Sequence, residues 1–388
     1  MRYIFILLAI YVLPLFGCQA QSIEPLQHEI DSIVKNWLPD KRVGVCNFSL
    51  VEHQGQALTL KGESLFPEAK IEVLKLLHDK GITVIDSVLL LPDSLHVDNV
   101  WGMVTLSIAN MRVKPAHSSE MASQAIMGTP VRVLKSYEGW ILIQTPDNYV
   151  GWTNKSAVHQ LTSAALENWR KSDRIIYTSS EGNVFADVKR SVVLSDLVAG
   201  AIVVRHTEGK GNWSVTLPDG RKGYVADANW IDFNRWKDTA ALQSDRMIKT
   251  GKQLMGFPYL WGGTSSKGMD CSGFIKTICF LNGVIVERDA SQQAHHGTEI
   301  EISGGWDKLQ KGDLLFFGSQ QTKRVNHIGL YIGDSEVLHE SGSVHINSLD
   351  KKRSNFNNEL FENLLSARRI IGFSSSKGVV PVKLHKWY

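Results

Sequence analysis

The chain has 388 residues, more than one typical domain holds, and points to two to four folded units. Apolar residues make up 43% and charged residues 21%, a globular balance. Lys and Arg total 42 against 39 Asp and Glu; a net charge of +3, with no basic run of five or more, gives no basis for a nucleic-acid groove.

The chain opens with Arg2 and an apolar run over residues 3–16, broken only by Pro14. That suits a signal-peptide core but falls short of a membrane span, which needs roughly 20 apolar residues. The run ends in Leu15-Phe16-Gly17-Cys18, which resembles a bacterial lipoprotein signal with Gly17 at the cleavage position and Cys18 bearing the lipid. The expectation is a signal peptide over 1–17 and an exported protein, lipid-anchored at Cys18 to a bacterial membrane and facing the periplasm. The competing reading is an ordinary signal peptide with a chance cysteine.

Three cysteines remain, too few for a disulfide scaffold, and none has zinc-ligand spacing. Cys46 lies in an apolar strand pattern and reads as buried. Cys271 and Cys279, on one predicted helix, stand about 12 Å apart along its axis and cannot bridge within it. Cys279 fits helix core, which leaves Cys271 to be explained by chemistry.

Residues 22–100 read as a small mixed α/β segment. Helical periods span 25–37 and 67–78, the second opened by Pro67. Strand patterns cover 43–50, 56–60 and 82–91. Short strands and turns then take over. Residues 130–134 lead through Glu138-Gly139 to Trp140, then Pro146-Asp147-Asn148 and Tyr149-Val-Gly-Trp152. The order recurs with 201–204, Glu208-Gly209, Trp213, Pro218-Asp219-Gly220 and Gly223-Tyr224. An internal repeat of hairpins with these turns predicts two small all-β barrels, over 101–160 and 175–235. The pattern resembles bacterial SH3-like domains; the second copy could be a spacer alone.

From about residue 238 to 375 the chain reads α+β. Helices are expected over 239–255 and 271–281, and strands over 313–317, 327–332, 336–340 and 370–373. Residues 351–363 read as a polar surface segment. Asp270-Cys271-Ser272-Gly273 stands where the second helix begins. Asp270 can cap it, and a cysteine in the first turn faces the positive end of the helix dipole, which lowers a thiol pKa. His327 and His339 lie on adjacent predicted strands joined at Gly333-Asp334, so pairing brings them together. One ring can serve the thiol while the other orients it. In a chain with thirteen histidines, two solvent-exposed strand histidines are the plain alternative.

The motifs Pro258-Tyr-Leu-Trp-Gly-Gly263, Met269-Asp-Cys-Ser-Gly-Phe274, Leu309-Gln-Lys-Gly-Asp-Leu-Leu-Phe-Phe317, His327-Ile-Gly-Leu-Tyr-Ile332 and Leu338-His-Glu340 stand in an order that resembles the NlpC/P60 family of cell-wall cysteine peptidases. The resemblance implies a papain-like α+β domain with catalytic Cys271, His327 and His339, and no metal or cofactor. The layout, with two SH3-like units ahead of the peptidase, resembles gamma-D-glutamyl-L-diamino-acid endopeptidases of the dipeptidyl-peptidase VI type. These cleave peptidoglycan stem peptides or muropeptides that carry a free N-terminal L-Ala. That likeness implies substrate contacts at Asp270, Asp289, Ser272 and Tyr259, with Glu120 and Tyr149 supplied by the first SH3-like unit. Trp261 beside Gly262-Gly263 suggests a close substrate approach, against a plain aromatic corner. A dead peptidase domain on a wall-binding adaptor, and an amidase or acyltransferase with the same Cys-His-His set, are the alternatives. The oligomeric state is open.

Overall fold

The computed structural model describes residues 23–52, 58–209, 211–373 and 378–388. The lipoprotein signal over 1–17 and Cys18 lie outside them.

Two helices and three strands form the N-terminal part. Helix Ile23–Trp37 buries Leu26, Ile30 and Val34 at helical spacing. Helix Pro67–Asp79 begins on Pro67, whose missing N–H is no loss in a first turn, and buries Ala69, Val73 and Leu77. Both helices share a core with strands Cys46–Val51, Leu58–Ser64 and Val84–Leu90. Cys46 is buried there, with the Ser64 hydroxyl 3.6 Å from its sulfur.

Two seven-stranded sheets follow, and the sequence repeat reappears as topology. Across the first, the order is Val158–Leu161, Trp101–Val104, Pro130–Tyr137, Trp140–Gln144, Val150–Asn154, Ile108–Arg112 and Met121–Ile126. Across the second it is Trp230–Asp232, Arg174–Tyr177, Ile202–Gly209, Asn212–Thr216, Lys222–Val225, Gly182–Phe185 and Val193–Leu197. The two orders coincide strand for strand, and each has its own buried core.

In the C-terminal part, helix Cys271–Leu281 packs on an antiparallel six-stranded sheet. Its order is Thr298–Ile300, Leu364–Arg369, Leu314–Gly318, Val325–Gly333, Glu336–Ser341 and Ser343–Ser348. Strand Leu314–Gly318 is apolar throughout because both its faces are covered. Leu314 and Phe316 lie under the Cys271 helix, while Leu315 and Phe317 enter a second core with Tyr331, Val337 and Leu360. The fold is α+β: a thiol-bearing helix on an antiparallel sheet, preceded by two SH3-like β units and a small mixed unit.

Three local expectations are corrected. The helix expected over 239–255 is the shorter Ser244–Gln253, preceded by a separate helix, Phe233–Thr239, that ends at extended Ala240. The two helices serve different cores: Phe233 and Trp236 pack with Tyr388, whereas Met247 packs under the Cys271 helix. The strand expected at 370–373 is Leu364–Arg369, paired with Leu314–Gly318. Ile370 plugs the core, and Gly372 turns the chain with φ +77. Within the polar stretch over 351–363, helix Asn358–Asn363 buries Leu360.

Candidate active site

Asp270 has extended backbone and accepts a hydrogen bond from the Gly273 N–H at 2.8 Å, so Cys271 is the first residue of its helix. A Cβ on Gly273 would run into the Gly263 carbonyl oxygen, so the 258–263 loop lies directly on the helix start. Cys271 is 7% exposed, and its sulfur faces the backbone N–H of Ile328, the residue after His327. Burial, reinforced by the Asp270 charge, pushes the thiol up to about 12 against the pull of the Ile328 and Ser272 N–H groups. The Ser272 N–H pulls the thiol down, as a helix start should, and burial opposes it.

His327 and His339 come together as strand pairing requires, with His327 Nε2 and His339 Nδ1 2.9 Å apart and Gly329 opposite His339. His339 Nε2 in turn lies 3.0 Å from Asn347 Oδ1. Burial, with His339 and His345 adding to it, pushes the His327 ring down to about 3. Burial likewise pushes His339 down to about 4, with Asn347 opposing. Burial thus favours the neutral form of thiol and imidazole alike.

Arg288 is the residue that sequence reasoning passed over. It was visible in Arg288-Asp289-Ala290 but carried no signal of its own. It is 1% exposed and forks onto Asp270, with Nη1 3.0 Å from Oδ1 and Nη2 2.6 Å from Oδ2. Nη1 also donates to the Ser272 hydroxyl at 2.9 Å, and the Gly262 N–H reaches Asp270 Oδ2 at 2.9 Å. Burial alone would raise the Asp270 carboxyl, but Arg288 and these N–H groups hold it below the usual range. Both Asp270 oxygens are thus engaged within the protein.

The remaining residues named from sequence meet in pairs across the junction of the peptidase part and the first SH3-like unit. Tyr149 donates to Asp289 Oδ2 at 3.3 Å, and Asp289 Oδ1 lies 4.0 Å from Arg288 Nη1. The Trp261 indole N–H donates to Glu120 Oε1 at 2.8 Å, while the ring stays 62% exposed. Tyr259 is half-buried, and its hydroxyl is raised by burial and then by Cys271, Asp270 and Glu340. The first SH3-like sheet is clamped to this loop by Gln124, which accepts from the Thr264 N–H at 2.9 Å and the Ser265 hydroxyl at 3.0 Å. A Cβ on Gly262 would strike the Met121 carbonyl oxygen, which explains a glycine there. Two more groups carried no sequence signal. Arg42, from the N-terminal part, donates to Asp289. Glu340, next to His339, is fully buried, and neither of its oxygens has a hydrogen-bond partner among the described residues.

A thiol at a helix start, facing a sheet that carries paired histidines, defines a cysteine peptidase of α+β, papain-like construction. Comparison with known proteins gives the family. Residues 256–363 match the NlpC/P60 family, and residues 111–158 match the bacterial dipeptidyl-peptidase SH3 domain. A dipeptidyl-peptidase 6 from Lysinibacillus sphaericus is 30% identical over 276 residues, covering 67% of this chain and 95% of that protein. A gamma-D-glutamyl-L-lysine dipeptidyl-peptidase from Bacillus cereus is 26% identical over 255 residues, covering 64% of this chain and 75% of that one. A crystal structure of an NlpC/P60 family protein from Bacillus cereus shares the fold, with a TM-score of 0.61 at 23% identity over 69% of this chain and 99% of that one. The chain belongs to the NlpC/P60 family and is a cysteine peptidase.

Proposed function

We propose that this protein hydrolyses peptidoglycan stem peptides at the bond between gamma-D-glutamate and the following L-diamino acid, and requires a free N-terminal L-Ala. The observation that carries this reading is the pair of contacts Tyr149–Asp289 and Glu120–Trp261 between the peptidase part and the first SH3-like unit, which we read as one wall of the site. A wall of this kind suits removal of a short N-terminal piece, and a carboxylate in it suits an ammonium end group, which is costly to bury unpaired. The relatives named as gamma-D-glutamyl-L-lysine dipeptidyl-peptidases, from Bacillus cereus and Bacillus subtilis, support the same bond.

In this mechanism Cys271 passes its proton to His327 as its sulfur attacks the gamma-carbonyl of D-Glu. His339 holds the imidazole in orientation. The Cys271 backbone N–H supports the oxyanion. His327 returns the proton to the departing amine, and water then releases the acyl group with His327 as base. Asp270 and Arg288 brace the helix start, and Ser272, Tyr259 and Trp261 line the substrate. Export and a lipid anchor at Cys18 would put the enzyme on the cell-wall side of a membrane.

The test is a panel of free and N-acetylated L-Ala-gamma-D-Glu-L-Lys and L-Ala-gamma-D-Glu-diaminopimelate peptides with product masses. The reading expects cleavage after D-Glu in the free peptides and little in the acetylated ones. Equal turnover of both, or release of any other fragment, contradicts it.

A further inference from the structure

Past His339 the hydrogen bonds continue into residues that the proposed Cys271–His327–His339 mechanism does not use. The hairpin register sets His345 opposite His339, with ring centroids 4.5 Å apart. His339 Nε2 and His345 Nε2 lie 3.0 Å and 3.1 Å from the same atom, Asn347 Oδ1.

Neighbours fix which way the Asn347 amide faces. Its Nδ2 donates to the Asn355 carbonyl at 3.3 Å, and Asn357 Nδ2 donates to its Oδ1 at 3.1 Å. With the oxygen toward the histidines, His339 must donate through Nε2. A neutral His339 then has a bare Nδ1, to which His327 donates through Nε2. A neutral His327 in that tautomer keeps Nδ1 bare, the form that can take a proton. Reversing the Asn347 amide reverses each tautomer in turn and puts the hydrogen on His327 Nδ1.

His345 adds a second ring on the same oxygen, its Nδ1 lying 2.6 Å from the Ser343 carbonyl.

We propose that Asn347 is a positioning residue: with its oxygen held toward His339 by Asn355 and Asn357, it fixes the proton-accepting tautomer of His327. This rests on the reading of Cys271, His327 and His339 as the catalytic set.

The test measures kcat and KM from pH 6 to 9 for the full chain and four variants, with thermal melting as the check on folding. Asn347→Leu should lose about tenfold or more in kcat, with KM within about twofold. Asn347→Asp keeps the acceptor and has no amide to turn, so it should hold kcat within about threefold and rescue the loss seen in Asn347→Leu. His345→Gln keeps a donor that can face the Asn347 oxygen, and should hold kcat within about threefold. Cys271→Ala should be inactive throughout. Wild-type kcat and pH profile in Asn347→Leu, with Cys271→Ala dead, overturn this inference and leave the catalytic set standing. Turnover in Cys271→Ala removes both.

Discussion

Arg42 Nη1 donates to Asp289 Oδ2 at 2.8 Å, a contact between residues 247 positions apart that ties the N-terminal part to the peptidase wall. Arg42 is held in turn by Asp40, at 2.7 Å and 2.9 Å, and its carbonyl accepts from the Val150 N–H at 2.8 Å. Asp40 also takes a hydrogen bond from Gln292 at 2.8 Å. Three separately folded parts therefore share the fixing of one carboxylate.

Replacing Arg42 with Ala removes that support. KM for the free-amine tripeptide should rise roughly three- to tenfold, the loss of a partly exposed charge-assisted contact, with kcat little changed. Steady-state kinetics on free and acetylated peptides check this. An effect of equal size on the acetylated peptide would dissociate Arg42 from amine recognition.

Arg288→Met should strip the buried Asp270 carboxylate of its counter-charge. Breaking a buried pair from one side costs about 3–5 kcal/mol, a fall of roughly 10 °C in melting temperature. The double variant Asp270→Leu with Arg288→Met should recover part of that loss. A melting temperature of the single variant within about 2 °C of wild type would mean that the pair is solvated.

Much of this was legible in sequence, for reasons tied to particular residues. The helix at Cys271 announces itself through the Asp270 cap and the apolar period behind it. The contact between His327 and His339 follows from two short strands and a tight turn. The two β units show through repeated Trp and Pro-Asp positions. What stayed hidden depends on packing between parts. Arg42 reaches Asp289 only because the N-terminal unit docks on the first SH3-like sheet. The break at Ala240 reflects two helices serving two cores. At Cys271 local sequence shows the helix dipole but not the depth of burial.

Glu340 gives a pH signature of its own. Burial, with the Asp270 charge behind it, pushes its carboxyl up to about 8. The folded protein keeps a proton that the unfolded chain releases near the ordinary value of 4.5. Stability on this account is full below pH 4.5 and is lost as pH rises toward 8. Glu340→Gln should remove the loss, so melting temperatures at pH 5 and pH 8 should converge by a few degrees relative to wild type. Parallel curves for the two proteins would mean that Glu340 ionises freely.

The two active-site histidines act in the opposite sense. Both are held neutral in the fold, below the ordinary value of 6.5. Their contribution is present above pH 6.5 and is lost as pH falls toward 4 and then 3. His339→Gln should melt with a shallower acid dependence between pH 6.5 and 4. It should also lower kcat about tenfold or more at neutral pH, with KM nearly unchanged, because the ring's task is orientation.

The most direct measurement is turnover of L-Ala-gamma-D-Glu-L-Lys by Cys271→Ala, with released L-Ala-gamma-D-Glu quantified by mass. The account predicts a loss of at least about a thousandfold, with a melting temperature near that of wild type. Release at the wild-type rate by the folded variant would contradict it.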